Sequence, residues 1–322
     1  MREPVFIIGG GLIGSSIAWR LAQQGVRTVI ADASPLGGEA STAGAGMLSP
    51  GSEFETPSPW VDLGLKSLRR YPGFVADLTQ ETGIELDFRV TGCIHIEENP
   101  PQSRVDFQTN AGIHVERCPE GLFYPRDALV DPVSMLRALR CAAEARGVRV
   151  EPVRVSGIEA SAYTAVVIAA GAWSGGLQIL HNGRPIPLPP TEPVKGHLIG
   201  FQMQPGLLGP FLRSGHTYVL QRSDGFVIAG TTEEHSGFDT SIDSRVCAEI
   251  HQRAAAIVPE LAAAEPVKRW IGFRPGPLYP DGPRLGRMEG TNVWLAYGHY
   301  RNGILLTPLT AERISAEISA SI

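Results

Sequence analysis

The sequence predicts an α/β fold in which a mainly antiparallel sheet is set into a parallel one. Three observations support this prediction. A strand, a glycine-rich turn and a helix follow one another near the amino terminus, an unbroken apolar run covers 164–170, and short strand-like runs separated by turns fill 181–240. Alternating strands and helices are typical of parallel sheets, whereas short runs between turn residues favour antiparallel pairing.

The amino-terminal segment has the pattern of a dinucleotide-binding turn. An apolar run at 5–8 predicts a buried strand, and apolar residues at every fourth position predict a helix after it. Three glycines lie at the junction in G-x-G-x-x-G spacing, namely Gly9, Gly11 and Gly14. The first permits a tight turn, the second lets a pyrophosphate approach the backbone, and the third lets helix and strand pack closely. The helix start then offers free N–H groups to the phosphates.

An acidic residue completes this pattern. A second strand is predicted at 26–31, and Asp32 follows it, 18 residues after Gly14. A carboxylate at the tip of that strand can accept hydrogen bonds from both ribose hydroxyls of a dinucleotide. Because strand, turn, helix and acid occur in the required order, dinucleotide binding is favoured over the alternative of a merely tight turn.

Composition and charge narrow the class of protein. The 322 residues, of which 43% are hydrophobic, suffice for one large or two modest globular domains. The net charge of −5 argues against general binding to nucleic acids or anionic membranes. No apolar run approaches the ~18 residues of a membrane span. A first strand at residue 5 leaves no expected room for a targeting peptide.

The cysteines predict a reducing compartment. Cys93, Cys118, Cys141 and Cys247 are scattered and form no C-x-x-C pair. We therefore predict reduced structural thiols in a cytoplasmic protein, and we expect no metal site.

Periodicity and turn residues predict the remaining elements. Residues 97–125, which are rich in proline and glycine, are expected to be irregular. Helices are expected over 63–82, 131–146 and 242–257 and from 303 onward, and strands over 89–96, 148–155, 164–170, 197–201, 218–221, 226–229, 270–274 and 293–298.

Two further segments fit a ligand site. Residues 35–50 are small and polar, so they form either a linker or a cradle of backbone groups for a flat ring, and we favour the cradle. Gly171 follows the apolar run at 164–170. The carboxyl end of a buried parallel strand is where an α/β sheet meets its ligand, and the alternative at Gly171 is an ordinary turn.

The chain resembles the FAD-dependent D-amino-acid oxidase family at five segments in the same order. Within that family, it resembles the glycine oxidases of thiamin biosynthesis most. The resemblance covers nearly the whole chain except 97–120, which looks shorter and richer in proline than the family's helical segment. The five segments are IIGGGLIGSSIAWRLA at 7–22, GGEASTAGAGML at 37–48, VVIAAGAWS at 166–174, WIGFRPGPLYPDGPRLG at 270–286 and GHYRNGILLTP at 298–308.

The resemblance implies two domains and a non-covalent cofactor. Sarcosine oxidases of this group attach their flavin to a cysteine, but residues 276–279 contain none, so FAD is expected without a covalent bond. The flavin hydroxylases carry a late Gly-Asp pair, which is missing at 290–308. The implied bounds are 1–83, 125–180 and 271–322 for an FAD-binding Rossmann-like domain, and 84–124 and 181–270 for a substrate domain with a mainly antiparallel sheet.

The resemblance also implies which residues surround FAD. Asp32 would bind the adenosine ribose, Val153 would meet the adenine through its backbone, and the start of the last helix would place positive potential beside the flavin ring. The implied set is Gly9, Gly11, Leu12, Ile13, Gly14, Asp32, Ala33, Ser41, Thr42, Ala43, Gly44, Gly46, Met47, Val153, Ala170, Gly171, Trp173, Gly272, Arg274, His299, Arg301, Asn302, Gly303 and Ile304.

Four residues are implied at the substrate. Arg274 would bind the carboxylate, Tyr218 and Arg301 would assist it, and His216 would line the pocket. An arginine fork binds a planar carboxylate through two hydrogen bonds and so orients Cα–H towards the flavin. From the residues alone, the alternatives are a surface ion pair for Arg274, a structural arginine for Arg301, a packed strand tyrosine for Tyr218 and a loop residue for His216.

The implied reaction is oxidative deamination. Glycine or another small amino acid or amine would give the 2-oxo acid and ammonia, and molecular oxygen would reoxidise the flavin to give hydrogen peroxide. Three alternatives stay open: a D-amino-acid or secondary-amine (sarcosine-type) dehydrogenase with another electron acceptor, a nicotinamide-dependent enzyme, and a catalytically silent FAD-binding protein. Homo-oligomerisation is left open as well.

Overall fold

The computed structural model describes residues 3–34 and 39–322. The helices in this part of the chain are α1 (Leu12–Gln23), α2 (Glu39–Ala43), α3 (Pro50–Glu53), α4 (Pro59–Leu68), α5 (Tyr71–Thr82), α6 (Gln102–Asn110), α7 (Pro132–Ala145), α8 (Ser244–Ile257) and α9 (Gly303–Ser319). The strands are β1 (Val5–Ile8), β2 (Thr28–Ala31), β3 (Met47–Leu48), β4 (Phe88–Arg89), β5 (Cys93–Ile96), β6 (Glu116–Cys118), β7 (Gly121–Tyr124), β8 (Ala128–Val130), β9 (Arg149–Glu151), β10 (Gly157–Glu159), β11 (Ala165–Ile168), β12 (Gln178–His181), β13 (Arg184–Ile186), β14 (Glu192–Gln202), β15 (Phe211–Ser214), β16 (Thr217–Gln221), β17 (Phe226–Gly230), β18 (Lys268–Gly276), β19 (Arg284–Arg287) and β20 (Val293–Tyr297).

A six-stranded sheet contains the amino-terminal strand. Its order is β19-β20-β11-β1-β2-β9, and all neighbours are parallel except the edge strand β19. Every residue of β1, β2 and β11 is buried, as the apolar runs predict. Helices α1, α7 and α9 contribute to the hydrophobic core on one face, and β12 contributes to the core on the other. The predicted doubly covered parallel sheet is therefore confirmed.

The second large sheet has eight strands. Its order is β18-β14-β17-β16-β15-β5-β7-β6, and its pairs are antiparallel except β15 with β5. The long pair β14–β18 runs from Glu192 opposite Gly276 to Gly200 opposite Lys268. Helix α8 packs its apolar side on this sheet. The mainly antiparallel sheet predicted from 181–240 is present, and the α/β fold class is confirmed.

The prediction of irregular structure over 97–125 is wrong. The segment contains α6, β6 and β7. The buried side chains of α6 are Arg104 and Gln108, which donate hydrogen bonds to Tyr124 Oη and to the backbone oxygen of Gly51. Only Val105 and Phe107 of α6 add apolar contacts, and both are partly buried. Because the fully buried side chains of α6 are polar, hydrophobic periodicity does not detect this helix.

Two predicted elements are each divided in the structure. The helix expected over 63–82 is two helices, α4 and α5, and each has a proline in its first turn. The strand expected over 89–96 is divided into β4 and β5, which belong to different sheets. Gly92 lies between them at φ 74°, a conformation that glycine adopts readily, and the chain changes sheets there.

Three more observations complete the description. Part of the predicted cradle is the short helix α2, whereas residues 35–38 of that cradle lie outside the described residues. In the described ranges, no helix combines the length and the apolar character needed to cross a bilayer. The four cysteines carry free thiols.

Candidate active site

A cavity of about 610 Å³ lies where the carboxyl ends of the parallel strands face the second sheet. Its lining extends from Asp32 and Val153, beside the six-stranded sheet, to Tyr218 and Arg274 of the other sheet, and it includes Arg301 of the turn before α9. Carboxyl ends of parallel strands are the usual ligand edge of an α/β fold. The cavity therefore joins the predicted dinucleotide turn to the predicted substrate residues.

The glycine turn is packed too closely for side chains. A Cβ atom on Gly14 would lie 1.9 Å from the backbone oxygen of Gly9, so helix α1 rests directly on the turn after β1. Leu12 and Ile13, in the first turn of α1, line the cavity, and the Leu12 N–H donates to Ser41 Oγ at 3.0 Å. This backbone-lined concavity at a helix start fits a pyrophosphate.

The carboxylate of Asp32 is held in place at the same end of the cavity. It accepts hydrogen bonds from the N–H groups of Gly10 and Ser34, the latter at 2.8 Å. The buried Arg140 of α7 lies 3.8 Å from it and also donates to the Gly10 oxygen at 3.0 Å. Burial lowers the pKa of Arg140, whereas Asp32 opposes that shift. Asp32 therefore has a fixed orientation at the cavity, as a ribose-binding acid needs.

Most of the residues expected around FAD line this one cavity. Gly14 and Thr42 are the members of the expected set outside the lining, and Gly14 instead makes the close packing of α1 on the turn. The lining members are Gly9, Gly11, Leu12, Ile13, Asp32, Ala33, Ser41, Ala43, Gly44, Gly46, Met47, Val153, Ala170, Gly171, Trp173, Gly272, Arg274, His299, Arg301, Asn302, Gly303 and Ile304.

The start of α9 contributes positive potential to the cavity. Asn302 precedes this helix without a side-chain cap, and Gly303 and Ile304 of its first turn line the cavity. Uncapped N–H groups at a helix start favour a negative charge nearby. His299, just before this turn, is fully buried and bonded to Thr310 Oγ1 at 3.0 Å; burial lowers its pKa to about 3, so it is neutral near pH 7.

Arg274 is a half-buried cation without an acidic partner among the described residues. Its Nη2 donates to Thr231 Oγ1 at 2.8 Å and its Nη1 to the Thr232 oxygen at 3.1 Å. In the part of the chain that the structure describes, no carboxylate lies within 4.0 Å of its guanidinium. Burial lowers the pKa of Arg274. A half-buried charge without a partner is unfavourable, so this site is suited to a ligand carboxylate.

Tyr218 lies near Arg274 in the same part of the cavity. It belongs to β16, where it pairs with Gly230, and only 5% of its surface is exposed. Burial raises the pKa of Tyr218, whereas the charges of Arg274 and Arg301 oppose that shift. The phenol is therefore protonated near neutral pH and can donate a hydrogen bond.

Arg301 differs from Arg274 because two acids already bind it. Its Nε lies 3.1 Å from Glu53 Oε1, and its Nη1 lies 3.6 Å from Glu233 Oε2. Glu53 Oε2 also accepts from Arg213 Nη1 at 2.9 Å. The structure thus brings both predicted arginines to one cavity. Of these two, Arg301 forms ion pairs, whereas Arg274 forms none with the described residues.

His216 does not line the cavity that contains Arg274. It is exposed in the turn between β15 and β16 and lines a neighbouring cavity of about 420 Å³. Its predicted contribution to the substrate pocket stays a prediction.

Sequence reasoning missed several residues of the site. Glu53 and Phe238 line the cavity from segments without a recognisable motif, and Phe238 stacks on Trp173 with ring centroids 4.7 Å apart. Arg140 did leave a signal, because it is a lone charge among the buried apolar residues of α7. No group of three or more His, Cys, Asp or Glu residues suited to a metal ion occurs within 3–34 and 39–322.

A buried carboxylate positions the turn that carries Glu53. Asp127 is 3% exposed and accepts hydrogen bonds from the N–H groups of Gly51 and Ser52, both at 3.2 Å. These residues belong to the short helix α3, which ends at Glu53. Arg213 Nη1 also donates to the Ser52 oxygen at 2.7 Å. Asp127 and Arg213 therefore hold α3 against the second sheet.

The burial of Asp127 predicts a pH-dependent stability. Burial raises the pKa of Asp127 from 3.8 to about 7. Because the folded carboxyl binds its proton more tightly than the unfolded one, stability falls as the pH rises from 3.8 to about 7. We expect the Tm of Asp127→Asn to fall less than that of the unaltered protein between about pH 5 and pH 8.

The measurement is Tm against pH for both proteins by differential scanning fluorimetry. Asp106→Asn, which removes an exposed carboxylate of α6, is the control and should follow the unaltered protein. Parallel curves for Asp127→Asn and the unaltered protein would contradict the assignment.

Comparison with known proteins places this geometry among flavoproteins. The model of the FAD dependent oxidoreductase family matches residues 4–317. The bifunctional protein ThiO/ThiG of Synechocystis sp. is 35% identical over 97% of this chain and 51% of its own length, so the chain spans about half of that relative. Glycine oxidase of Pseudomonas putida is 30% identical over 97% of this chain and 93% of its own length. The crystal structure of glycine oxidase from Geobacillus kaustophilus matches with a TM-score of 0.89 at 30% identity, covering 99% of this chain and 95% of that one.

Proposed function

The chain belongs to the FAD-dependent oxidoreductase family, and on this premise we propose that it oxidises glycine or another small amine-bearing acid. The products are the 2-oxo acid and ammonia, formed by hydrolysis of an imine, and molecular oxygen is the proposed electron acceptor. The glycine oxidases that it resembles at 30% identity over nearly their whole length support this substrate class. The free thiols support the cytoplasm as its compartment.

The unpaired guanidinium of Arg274 is the single observation that supports this proposal most. A small amino acid carries one planar carboxylate, which Arg274 can bind through two hydrogen bonds. Thr231 Oγ1 and the Thr232 oxygen hold the guanidinium from the protein side. The bound carboxylate offsets the unfavourable burial of this charge, and the substrate is thereby oriented in the cavity.

The residues around the rest of the cavity fit FAD. The concavity at Gly9 and the start of α1 would hold the pyrophosphate, Asp32 the ribose, and the start of α9 the electron-rich end of the flavin. Bound FAD supplies the acceptor for the two electrons of the oxidation. The segment 276–279 contains no cysteine, which supports non-covalent binding.

The proton of the substrate ammonium is proposed to leave to solvent. Glu53 is paired with Arg213 and Arg301 and is therefore poorly suited to act as a base. Tyr218 is protonated, because burial raises its pKa, and it can donate a hydrogen bond to the substrate carboxylate. The protein groups thus bind and orient the substrate rather than exchange its proton.

We propose that the two sheets correspond to two domains. The six-stranded sheet belongs to an FAD-binding domain (1–83, 125–180 and 271–322), and most of the eight-stranded sheet belongs to a substrate domain (84–124 and 181–270). Their layout supports this division because the cavity lies between the two sheets.

Anaerobic titration of the purified yellow protein tests the function. Flavin absorbance at about 450 nm is followed while glycine, sarcosine or D-alanine is added. We expect glycine to bleach the flavin, and we expect air to restore the colour with formation of hydrogen peroxide. Bleaching without recovery in air would indicate a dehydrogenase with another acceptor, and a flavin that no amine bleaches would contradict the proposal.

A further inference from the structure

A second cavity adjoins the active site. This outer cavity has a volume of about 420 Å³ and shares Thr231 and Arg301 with the larger cavity that contains Arg274. Its complete lining is His216, Thr231, Thr232, Glu233, Glu234, Val246, Arg253 and Arg301. A substrate held at Arg274 therefore has Arg301 at the boundary towards this outer space.

Glu233 forms that boundary together with Arg301. Its carboxylate lies 3.6 Å from Arg301 Nη1 and also accepts a hydrogen bond from the Tyr300 hydroxyl. Tyr300 has φ 50°, a left-handed conformation that is uncommon for a bulky residue and that turns the chain immediately before Arg301. Glu233, on the loop after β17, thus contacts the consecutive side chains of Tyr300 and Arg301 in the turn before α9.

The charges around the outer cavity depend on Glu233. The cationic groups are Arg253 and Arg301, with the exposed His216 beside them, and the acids are Glu233 and Glu234. Glu234 is already engaged, because its carboxylate lies 2.8 Å from His197 Nδ1 and accepts from Thr232 Oγ1. Removing the charge of Glu233 would therefore leave Arg301 with Glu53 alone, and the lining would then hold two arginines, Arg253 and Arg301, against one acid, Glu234.

We propose that Glu233 is a specificity-determining residue that excludes substrates with a second acidic group. By occupying the outer side of Arg301, it closes the substrate cavity and repels an anionic substituent that would otherwise meet Arg301 and Arg253. Amino acids whose only anion is the carboxylate bound by Arg274 are unaffected. The substrate class in this inference rests on the proposed function, whereas the role of Glu233 towards a second anion does not.

Binding of unreactive carboxylates to the FAD-loaded protein tests the inference without turnover. The dissociation constants of acetate, malonate and succinate are measured from their perturbation of the flavin spectrum. In Glu233→Gln we expect the affinity for malonate or succinate, relative to acetate, to rise about two- to fivefold, the size expected for one partly exposed charge contact. Glu289→Gln removes an exposed charge from the turn between β19 and β20, lines neither cavity, and should leave this ratio unchanged.

A second variant and a turnover measurement separate the proposed role of Glu233 from the proposed oxidation of amino acids. Glu233→Ala removes the barrier as well as the charge, and because 42% of the Glu233 side chain is exposed, we expect this variant to fold normally. For both variants we expect kcat/KM to rise for iminodiacetate or D-aspartate relative to glycine. The role of Glu233 would be overturned if, in both variants, the affinity ratios for malonate and succinate and the kcat/KM ratios for iminodiacetate and D-aspartate were all unchanged. A shifted binding ratio in a protein that oxidises no amino acid would uphold that role and contradict the proposed function.

Discussion

Arg274→Ala is expected to raise KM for glycine by about 30-fold or more while FAD stays bound. The guanidinium is half-buried at the cavity, has no acidic partner among the described residues, and is held by Thr231 and Thr232. Losing a buried charge-assisted contact costs about 2 to 5 kcal/mol, and each 1.4 kcal/mol is a factor of about ten. Steady-state kinetics with glycine, together with the ratio of flavin to protein absorbance, measures both parts of this prediction.

Two further variants sharpen this test. Arg274→Lys should also bind glycine poorly, because an ammonium group lacks the planar fork that matches a carboxylate. Arg269→Ala is the matched control, since Arg269 is an exposed arginine of the same strand β18 and does not line the cavity. A KM in Arg274→Ala that equals the value of this control would refute the carboxylate clamp.

Gly14→Ala is expected to yield a protein that is less stable by about 2 to 3 kcal/mol and that retains little FAD. The added Cβ would lie 1.9 Å from the Gly9 oxygen, so α1 must move away from the turn after β1. That movement enlarges the gap between the helix start and the backbone that would hold the pyrophosphate. Chemical denaturation and the flavin content after dialysis measure the two effects.

Gly73→Ala is a control with the opposite expected sign. Gly73 is also a helical glycine, in α5, but a Cβ there meets no atom of the described residues within 4 Å. Alanine should stabilise this position by about 0.5 to 1 kcal/mol and leave the FAD content unchanged. If both alanine variants keep FAD and stability, close packing at Gly14 is not what shapes the site.

The elements that the sequence predicts well are those defined by local pattern. The first strand, turn and helix, the capped helix after Asp131 and the buried strand before Gly171 all lie where their residues predict them. Asp131 accepts from the N–H groups of Val133 and Ser134, so that helix has its start signal within three residues. By contrast, α6 depends on distant partners, and local periodicity does not detect it.

The sequence by itself determined the fold class and the glycine turn, because both depend on residues that are neighbours along the chain. The two arginines are predicted only through the family resemblance. Only the tertiary structure decided which arginine is paired. Glu53 and Glu233 reach Arg301 from segments far from it in sequence, whereas no described acid reaches Arg274. The ionic state of a buried group depends on every element packed around it, and spacing along one chain does not contain that information.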